Sequence, residues 1–356
     1  MMRYRAVLMV CILLACPSWA SAAGIVVFGD SLSDIGNVYA TSRSEPSLKP
    51  DPPSPPYFDG RMSNGPVWVE HLADRLRVKR PTASLDGGLN FAYAGATTGP
   101  GTRQRPSIAI PGQVQPIANV GRQIEDFFAV QKRVAPHQLV VLWAGAGDLF
   151  EAVLAGPKAG EGIVTSGVAN LERHLRRLEE AGARQIVVPN QIDASDAPFW
   201  KGFGPPLPEG SGKLMARFTA IFNEGLEDML DSLAAEPTFS ARLIQPDMFG
   251  LVKATLENPA EYDFINVDKP AFLPGVGVVA DASGYLFWDP IHPTTEGHRA
   301  IADNVPIRGQ RPHRGASRPA PRDAAEVALL PTPVPATFPL MAMGLAALVL
   351  VARRER

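Results

Sequence analysis

The chain has 356 residues, of which 46% are hydrophobic and 20% are charged, so it holds enough apolar material for a globular core. Its formal net charge of -2 is close to neutral and no large basic patch stands out, which argues against a nucleic-acid-binding protein. Both cysteines, Cys11 and Cys16, lie in the first twenty residues. Without that segment, the chain could form no disulfide and would offer no cysteine to a metal.

The amino-terminal segment 1–22 has the features of a secretory signal peptide. Arg3 and Arg5 give a positive start, an apolar run follows, and residues 20–22 (ASA) fit the small residues of a cleavage site. Two alternatives remain open: a lipoprotein signal, because the residues before Cys16 resemble a lipobox, and a buried amino-terminal helix. We expect a signal peptide and export from the cytoplasm.

Residues 23–304 alternate strand-like and helix-like runs and form the predicted folded domain. Short continuous apolar runs, typical of buried parallel strands, lie at 25–28, 138–143, 185–189 and 242–244. Helical patterns lie at 65–77, 117–133, 166–182 and 212–235. This alternation predicts a three-layer α/β/α fold with a central, mostly parallel sheet. Loops rich in proline or glycine, at 43–60 and 97–113, are expected to overhang the carboxyl ends of the strands, where ligands bind in such sheets.

A serine follows the first predicted strand, in the segment FGDSLSD (28–34). We expect a helix to begin shortly after Ser31, so that its hydroxyl is exposed at the sheet edge. Backbone N–H groups and the helix dipole would then lie near a developing oxyanion. Taken alone, the segment fits an ordinary strand-to-helix turn better, because Gly, Asp and Ser are the usual residues of such turns.

A second polar group lies in the segment WDPIHPTT, where Asp289 precedes His292 by three residues. A proline follows each of them and disfavours the helical conformation, so both are expected in a stiff loop before a helix capped by Thr294 or Thr295. A stiff loop suits a general base that a carboxylate orients. The alternatives are a purely local hydrogen bond and a metal site that includes His298, for which no obvious further ligands exist.

Together these segments resemble the GDSL, or SGNH, hydrolase family. The block GDSLSDIGN (29–37) is a close match, and the later blocks of the family look like 59–72, 90–98 and 288–298. The resemblance implies a flavodoxin-like SGNH hydrolase fold. It also implies hydrolysis of an ester through an acyl-enzyme, with Ser31 as nucleophile, His292 as base and Asp289 as its orienting acid, and without a metal or organic cofactor.

The resemblance further implies an oxyanion hole formed by the N–H groups of Ser31 and Gly95 and by an asparagine side chain at position 147. Here the family pattern Gly-x-Asn-Asp reads GAGD, so Gly147 supplies no side-chain donor. Losing one such donor costs a serine hydrolase about 2.7–4 kcal/mol. Unless another group such as Asn190 replaces it, we expect weak activity, and Gly147→Asn should raise kcat. A binding protein without activity and a structural matrix protein are the alternatives.

The carboxy-terminal part divides into a linker rich in Pro and Arg at 305–335 and an apolar tail at 336–356 that ends in arginines. The apolar run is slightly short of the ~20 residues of a spanning helix, and its basic end is typical of a membrane stop. The tail resembles PEP-CTERM sorting signals. That resemblance implies passage through the membrane, processing, and delivery to the surface or extracellular matrix of a Gram-negative bacterium. The expected partner is a lipid or acylated-carbohydrate ester, bound by a monomer.

Overall fold

The computed structural model describes residues 24–306. The predicted signal peptide, most of the predicted linker and the predicted 336–356 helix lie outside the described residues. Within residues 24–306, no helix is both long and apolar enough to cross a membrane.

The described chain alternates helices and strands. The strands are β1 (Gly24–Gly29), β2 (Thr102–Pro106), β3 (Val114–Ala118), β4 (Gln138–Trp143), β5 (Gln185–Val187), β6 (Arg242–Ile244), β7 (Asn266–Pro270), β8 (Phe272–Leu273), β9 (Gly277–Val278) and β10 (Tyr285–Phe287). The helices are α1 (Asn37–Ser44), α2 (Trp68–Leu76), α3 (Val120–Val130), α4 (Ala146–Ala155), α5 (Pro157–Glu180), α6 (Ser211–Ala235), α7 (Met248–Glu257) and α8 (Thr295–Asp303).

Four parallel strands form the central sheet in the order β1–β4–β5–β6. On the outer side of β1, Val27 forms a parallel bridge with Asn90, and the Phe91 N–H donates to the Val27 carbonyl at 2.8 Å. With this short segment on one side of β1 and β4 on the other, the strand order matches the flavodoxin-like pattern, in which successive strands are added first on one side of the first strand and then on its other side.

Both faces of the sheet are covered by helices. Successive side chains of a strand point to opposite faces, so an uninterrupted apolar strand requires apolar neighbours on both sides. Val26 and Phe28 of β1 pack in a cluster with residues of α3, α4, α5 and α6. Ile25 and Val27 pack in a second cluster with residues of α2, α7 and α8. The predicted three-layer α/β/α fold is confirmed.

The helix after Ser31 begins later than the sequence predicts. Residues 31–36 form turns, and α1 starts only at Asn37. The carboxylate of Asp34 stabilises the start of α1, because its Oδ1 accepts hydrogen bonds from the N–H groups of Gly36 at 2.8 Å and Asn37 at 2.7 Å. The expectation that the dipole of this helix acts at Ser31 is therefore wrong.

The segment predicted as a loop at 97–113 contains strand β2, which pairs antiparallel with β3. This pairing also shortens the helix predicted at 117–133, since Ile117 and Ala118 belong to β3 and α3 begins at Val120. The hairpin carries Arg103 and Arg105 towards the sheet's carboxyl edge, so it lines the site as the sequence predicts for this segment.

Candidate active site

Three adjacent chain segments deliver residues to one edge of the sheet. In the register of β1 and β4, Gly29 pairs with Trp143, so the residues that follow each strand emerge side by side. Ser31 comes from the first segment, Gly147 from the second, and Gly95 from the segment beside β1. All three line one cavity of about 220 Å³, which we call the large cavity.

His292 lines the same cavity, and Asp289 holds it from behind. Asp289 Oδ2 lies 2.7 Å from His292 Nδ1, while Asp289 Oδ1 accepts the N–H groups of Ile291 at 2.8 Å and His292 at 2.7 Å. Burial alone would raise the pKa of Asp289, but the charge of His292 and these hydrogen bonds together hold that pKa below its usual value. With Nδ1–H donated to Asp289, the neutral ring presents its lone pair at Nε2.

Ser31 and His292 lie on the same face of the molecule. Both line the large cavity, and both also line a second cavity next to it. Within residues 24–306, Ser31 Oγ and His292 form no hydrogen bond. In enzymes without substrate such bonds are often long and tighten only in the reacting complex.

Tyr57 is a member of this group that the sequence did not predict. Its hydroxyl donates to Asp289 Oδ2 at 2.7 Å, so one carboxylate oxygen bonds both Tyr57 and His292. The ring packs edge-on against Phe272 and Trp288. Burial, followed by the charge of Asp289, raises the pKa of Tyr57 well above its ordinary value, so it stays a donor. The only signal in the sequence was an aromatic residue within a proline-rich loop.

Gly147 lies in the first turn of α4, against the segment that carries Gly95. A Cβ atom placed on Gly147 would lie 2.3 Å from the Ala96 carbonyl oxygen, closer than side chains are found to pack. Asp148 keeps α4 close to the segment that carries Gly95, because its carboxylate accepts both the N–H and the hydroxyl of Thr98 at 2.8 Å. The expectation that an asparagine can simply be restored at this position is therefore corrected. The backbone leaves no room for it.

The family follows from comparison with known proteins. A family model described as GDSL-like Lipase/Acylhydrolase matches residues 25–305. The chain belongs to the GDSL-like lipase/acylhydrolase family. Its sequence is 25% identical to a phosphatidylcholine-sterol acyltransferase of Aeromonas hydrophila, over 78% of this chain and 88% of that protein. It is also 25% identical to a GDSL esterase/lipase of Arabidopsis thaliana, over 85% of this chain and 91% of that protein.

Solved structures overlap this GDSL hydrolase more loosely. An α/β hydrolase from the metagenome of Lake Arreo has a TM-score of 0.41 and 15% identity, and covers 79% of this chain and 92% of its own. The acetylxylan esterase Axe2 of Geobacillus stearothermophilus has a TM-score of 0.39 and 12% identity, with 79% and 90% covered. Overlaps at this level carry no conclusion about substrate.

Asn190 does not replace the donor missing at position 147. Its side-chain Nδ2 donates to Asp247 at 2.9 Å, and its Oδ1 accepts the N–H groups of Met248 and Phe249. Asn190 therefore caps the start of α7, and it contributes to neither cavity wall. The suggestion that it completes the oxyanion hole is wrong.

Two buried carboxylates, Asp30 and Asp148, interact through their charges, and Asp30 directly precedes the candidate nucleophile. Burial raises the pKa of Asp30 to about 7, against hydrogen bonding from Leu32 N–H and the charge of His292, which lower it. Burial likewise raises the pKa of Asp148 to about 6, although its bonds to Thr98 lower it. Asp30 lines the large cavity directly before Ser31, so the charge next to Ser31 changes near neutral pH.

His298, which the sequence grouped with Asp289 and His292 as a metal-site alternative, is packed in the core. It is 1% exposed, and neither ring nitrogen has a hydrogen-bond partner in the described chain. Burial, helped by the charges of His71 and His292, lowers the pKa of His298 well below its ordinary value. Over residues 24–306, no three His, Cys, Asp or Glu side chains are placed to hold a metal ion.

Proposed function

We propose that this protein is a serine ester hydrolase that works through Ser31, His292 and Asp289. The observation that carries the proposal is one arrangement: Ser31 and His292 line the same cavity, and Asp289 Oδ2 lies 2.7 Å from His292 Nδ1. In that arrangement, His292 Nε2 accepts the Ser31 proton as Ser31 Oγ attacks the ester carbonyl. Water then attacks the acyl-enzyme with His292 again as base.

The oxyanion is held by backbone donors. Ser31 and Gly95 supply two N–H groups. The third comes from Gly147, whose N–H lies in the first turn of α4 and has no acceptor within the helix. A helix amino terminus attracts negative charge, so this position stabilises the oxyanion without a side chain. The close approach of Gly147 to Ala96 supports this, because it puts the start of α4 beside the Gly95 segment.

The large cavity favours an ester with an apolar acyl chain. Its wall is mostly hydrophobic, and includes Ile108, Phe150, Leu154, Phe199, Trp200 and Leu207. Its arginines are already paired: Arg105 binds Asp51 at 2.7 Å and Arg103 binds Glu151 at 2.7 Å. A ligand held by such a wall gains free energy from buried apolar surface rather than from charge.

The decisive experiment replaces the nucleophile. Ser31→Ala should lower kcat for p-nitrophenyl butanoate at least about 1,000-fold, because no alcohol remains to form the acyl-enzyme. A fluorophosphonate probe should label the wild type and fail to label the variant. Ser44→Ala, at an exposed serine of α1 that lines neither cavity, is the matched control and should behave as wild type. Full activity in folded Ser31→Ala would rule out the mechanism, and an unlabelled, inactive wild type would indicate a binding protein.

We also propose that the enzyme acts outside the cytoplasm of a bacterial cell. The support is the signal-like segment 1–22 and the apolar, arginine-ended segment 336–356. Cell fractionation with antibody against residues 24–306 should find the protein in the envelope or the medium. Recovery from the cytoplasm alone would contradict the proposal.

A further inference from the structure

A second cavity, of about 80 Å³, meets the large cavity at the candidate catalytic residues. We call it the small cavity. The two share the residues Ser31, Ala146, Phe150, Ile291 and His292. Ser31 and His292 therefore stand where two separate spaces join, and not at the closed end of one.

The wall of the small cavity is built from the opposite side of the fold to that of the large one. Its apolar residues come from α7, α8, β10 and the segments near them, and include Leu251, Val252, Phe264, Leu286, Phe287 and Ile301. Two carboxylates also line it, Asp193 and Asp196, and both are ion-paired with Lys253. Lys253 offsets one of these two negative charges, so the charge that remains disfavours an anionic group. The apolar residues that form the rest of the wall suit an uncharged apolar group.

The two cavities differ in their access to the oxyanion donors. Gly95 and Gly147 line the large cavity and do not line the small one. The carbonyl oxygen of a bound ester must therefore point to the large-cavity side. The acyl chain, bonded to the same carbon, has the larger volume available on that side, about 220 Å³ against about 80 Å³. The remaining substituent of the carbonyl carbon is the alkoxy group.

We infer that the small cavity is the subsite for the alcohol part of the ester, and that it takes a short, uncharged, apolar alcohol. This inference rests on the proposed ester hydrolysis. It separates an ester that is apolar on both sides of the carbonyl from esters of sugars or of charged head groups. It also means that a small apolar alcohol can bind beside the acyl-enzyme and compete with water.

That competition gives a reaction with a product that can be measured. The oxygen of a bound alcohol attacks the acyl carbonyl, and His292 Nε2 accepts its proton. The bond between the acyl carbon and Ser31 Oγ then breaks, and the proton passes from His292 to Ser31 Oγ. A new ester leaves and the enzyme is restored, so the ratio of new ester to free acid reports occupancy of the small cavity.

The test fills one cavity at a time. Ala300→Leu places a larger side chain in the small cavity and reduces its volume, from a half-buried position of α8 that does not line the large cavity. Leu154→Trp does the same for the large cavity from α4. Arg299→Leu, at an exposed neighbouring position of α8 that lines neither, controls for an added leucine. Each is assayed by pH-stat on butanoate esters of methanol to hexanol, and on methyl esters of acetate to octanoate.

We expect Ala300→Leu to lower kcat/KM about tenfold for butyl butanoate while methyl butanoate is hydrolysed as by wild type, because lost space for a few methylenes costs about this much. It should also lower transfer to added 1-butanol relative to water. Leu154→Trp should instead lower kcat/KM for the longer acyl chains, and Arg299→Leu should change kcat/KM in neither series. If Ala300→Leu does not fold by its thermal melt, Ala194→Leu, which also lines only the small cavity, replaces it.

Two results would overturn the inference while ester hydrolysis itself stands. If Ala300→Leu slows the acyl series and spares the alcohol series, the assignment of the cavities is reversed. If it raises the melting temperature and changes neither series, the small cavity is a packing void. Failure of the proposed function looks different, since the wild type would then hydrolyse no ester and take up no fluorophosphonate.

Discussion

Tyr57 and His292 both bond the Oδ2 atom of Asp289, each at 2.7 Å. A hydrogen bond to a charged group contributes about 1.5–3 kcal/mol, and here it fixes the carboxylate that orients the imidazole. Tyr57→Phe should therefore lower kcat/KM about tenfold. The loss should fall on kcat and leave KM unchanged, because a poorly oriented imidazole affects the reacting complex and not substrate binding. Both constants are measured on p-nitrophenyl butanoate.

The control for this change is Tyr39→Phe, which removes a hydroxyl from α1 at a position that lines neither cavity. It should leave kcat and KM as in wild type. A Tyr57→Phe variant with lowered stability and an unchanged kcat in the folded protein would reduce Tyr57 to a packing residue. Measuring kcat and the thermal melt on the same preparation separates these cases.

The close approach of helix α4 to the segment 95–98 depends on one glycine, Gly147, which has no side chain. Gly147→Ala would bring a Cβ atom to 2.3 Å from the Ala96 carbonyl oxygen, so α4 or that segment must shift. We expect a loss of about 1–3 kcal/mol in the free energy of unfolding, together with a lower kcat, because the moved helix start carries the Gly147 N–H. Urea denaturation and ester assays measure the two effects.

The chain offers a matched control for this substitution in α5. A Cβ atom at Gly162 would meet no atom within 4 Å, so Gly162→Ala should raise the free energy of unfolding by about 0.5–1 kcal/mol through helix propensity. If both substitutions change the free energy of unfolding equally, the contact between α4 and Ala96 leaves room for a Cβ atom at position 147. Gly147→Asn adds a larger side chain at the same place and should be at least as destabilising.

The elements that the sequence predicts best are those whose structure depends on their own residues and not on distant ones. The apolar run at 138–143 is β4, because a strand buried on both faces must be apolar throughout. The turn that carries Asp289 and His292 follows from the two prolines beside them. Tyr57 could not be predicted, since its partner Asp289 is 232 positions away. The need for glycine at position 147 could not be predicted either, because it depends on where Ala96 packs. The hairpin β2–β3 was also missed.

For the whole molecule, stability towards acid depends on His298. Its pKa in the folded state is lowered, so the folded protein keeps it neutral while the unfolded chain binds a proton below about pH 6.5. Its contribution is fully present above that pH and is lost as the pH falls. His298→Leu should therefore flatten the decline in the free energy of unfolding between pH 6.5 and 5, and raise stability at pH 5, since an unbonded buried ring is removed.

Urea denaturation across this pH range measures the effect as a difference from wild type. The comparison is needed because Asp30, with its pKa raised to about 7, acts in the opposite direction over the same interval and is present in both proteins. His137→Leu, at an exposed position, is the control for replacing a histidine with a leucine. An unchanged slope in His298→Leu would mean that water reaches the ring.

Helix α8 docks on α2 through Thr295, whose N–H donates to Asn64 Oδ1 at 2.8 Å and whose hydroxyl lies 3.1 Å from His71 Nε2. This docking fixes the position of the loop that carries His292, the proposed base, whereas Ser31, the proposed nucleophile, follows the first strand. During translation, the growing polypeptide thus displays Ser31 long before His292 can reach it. Under the proposed mechanism, esters near the ribosome are expected to be spared until α8 has been released and has folded back.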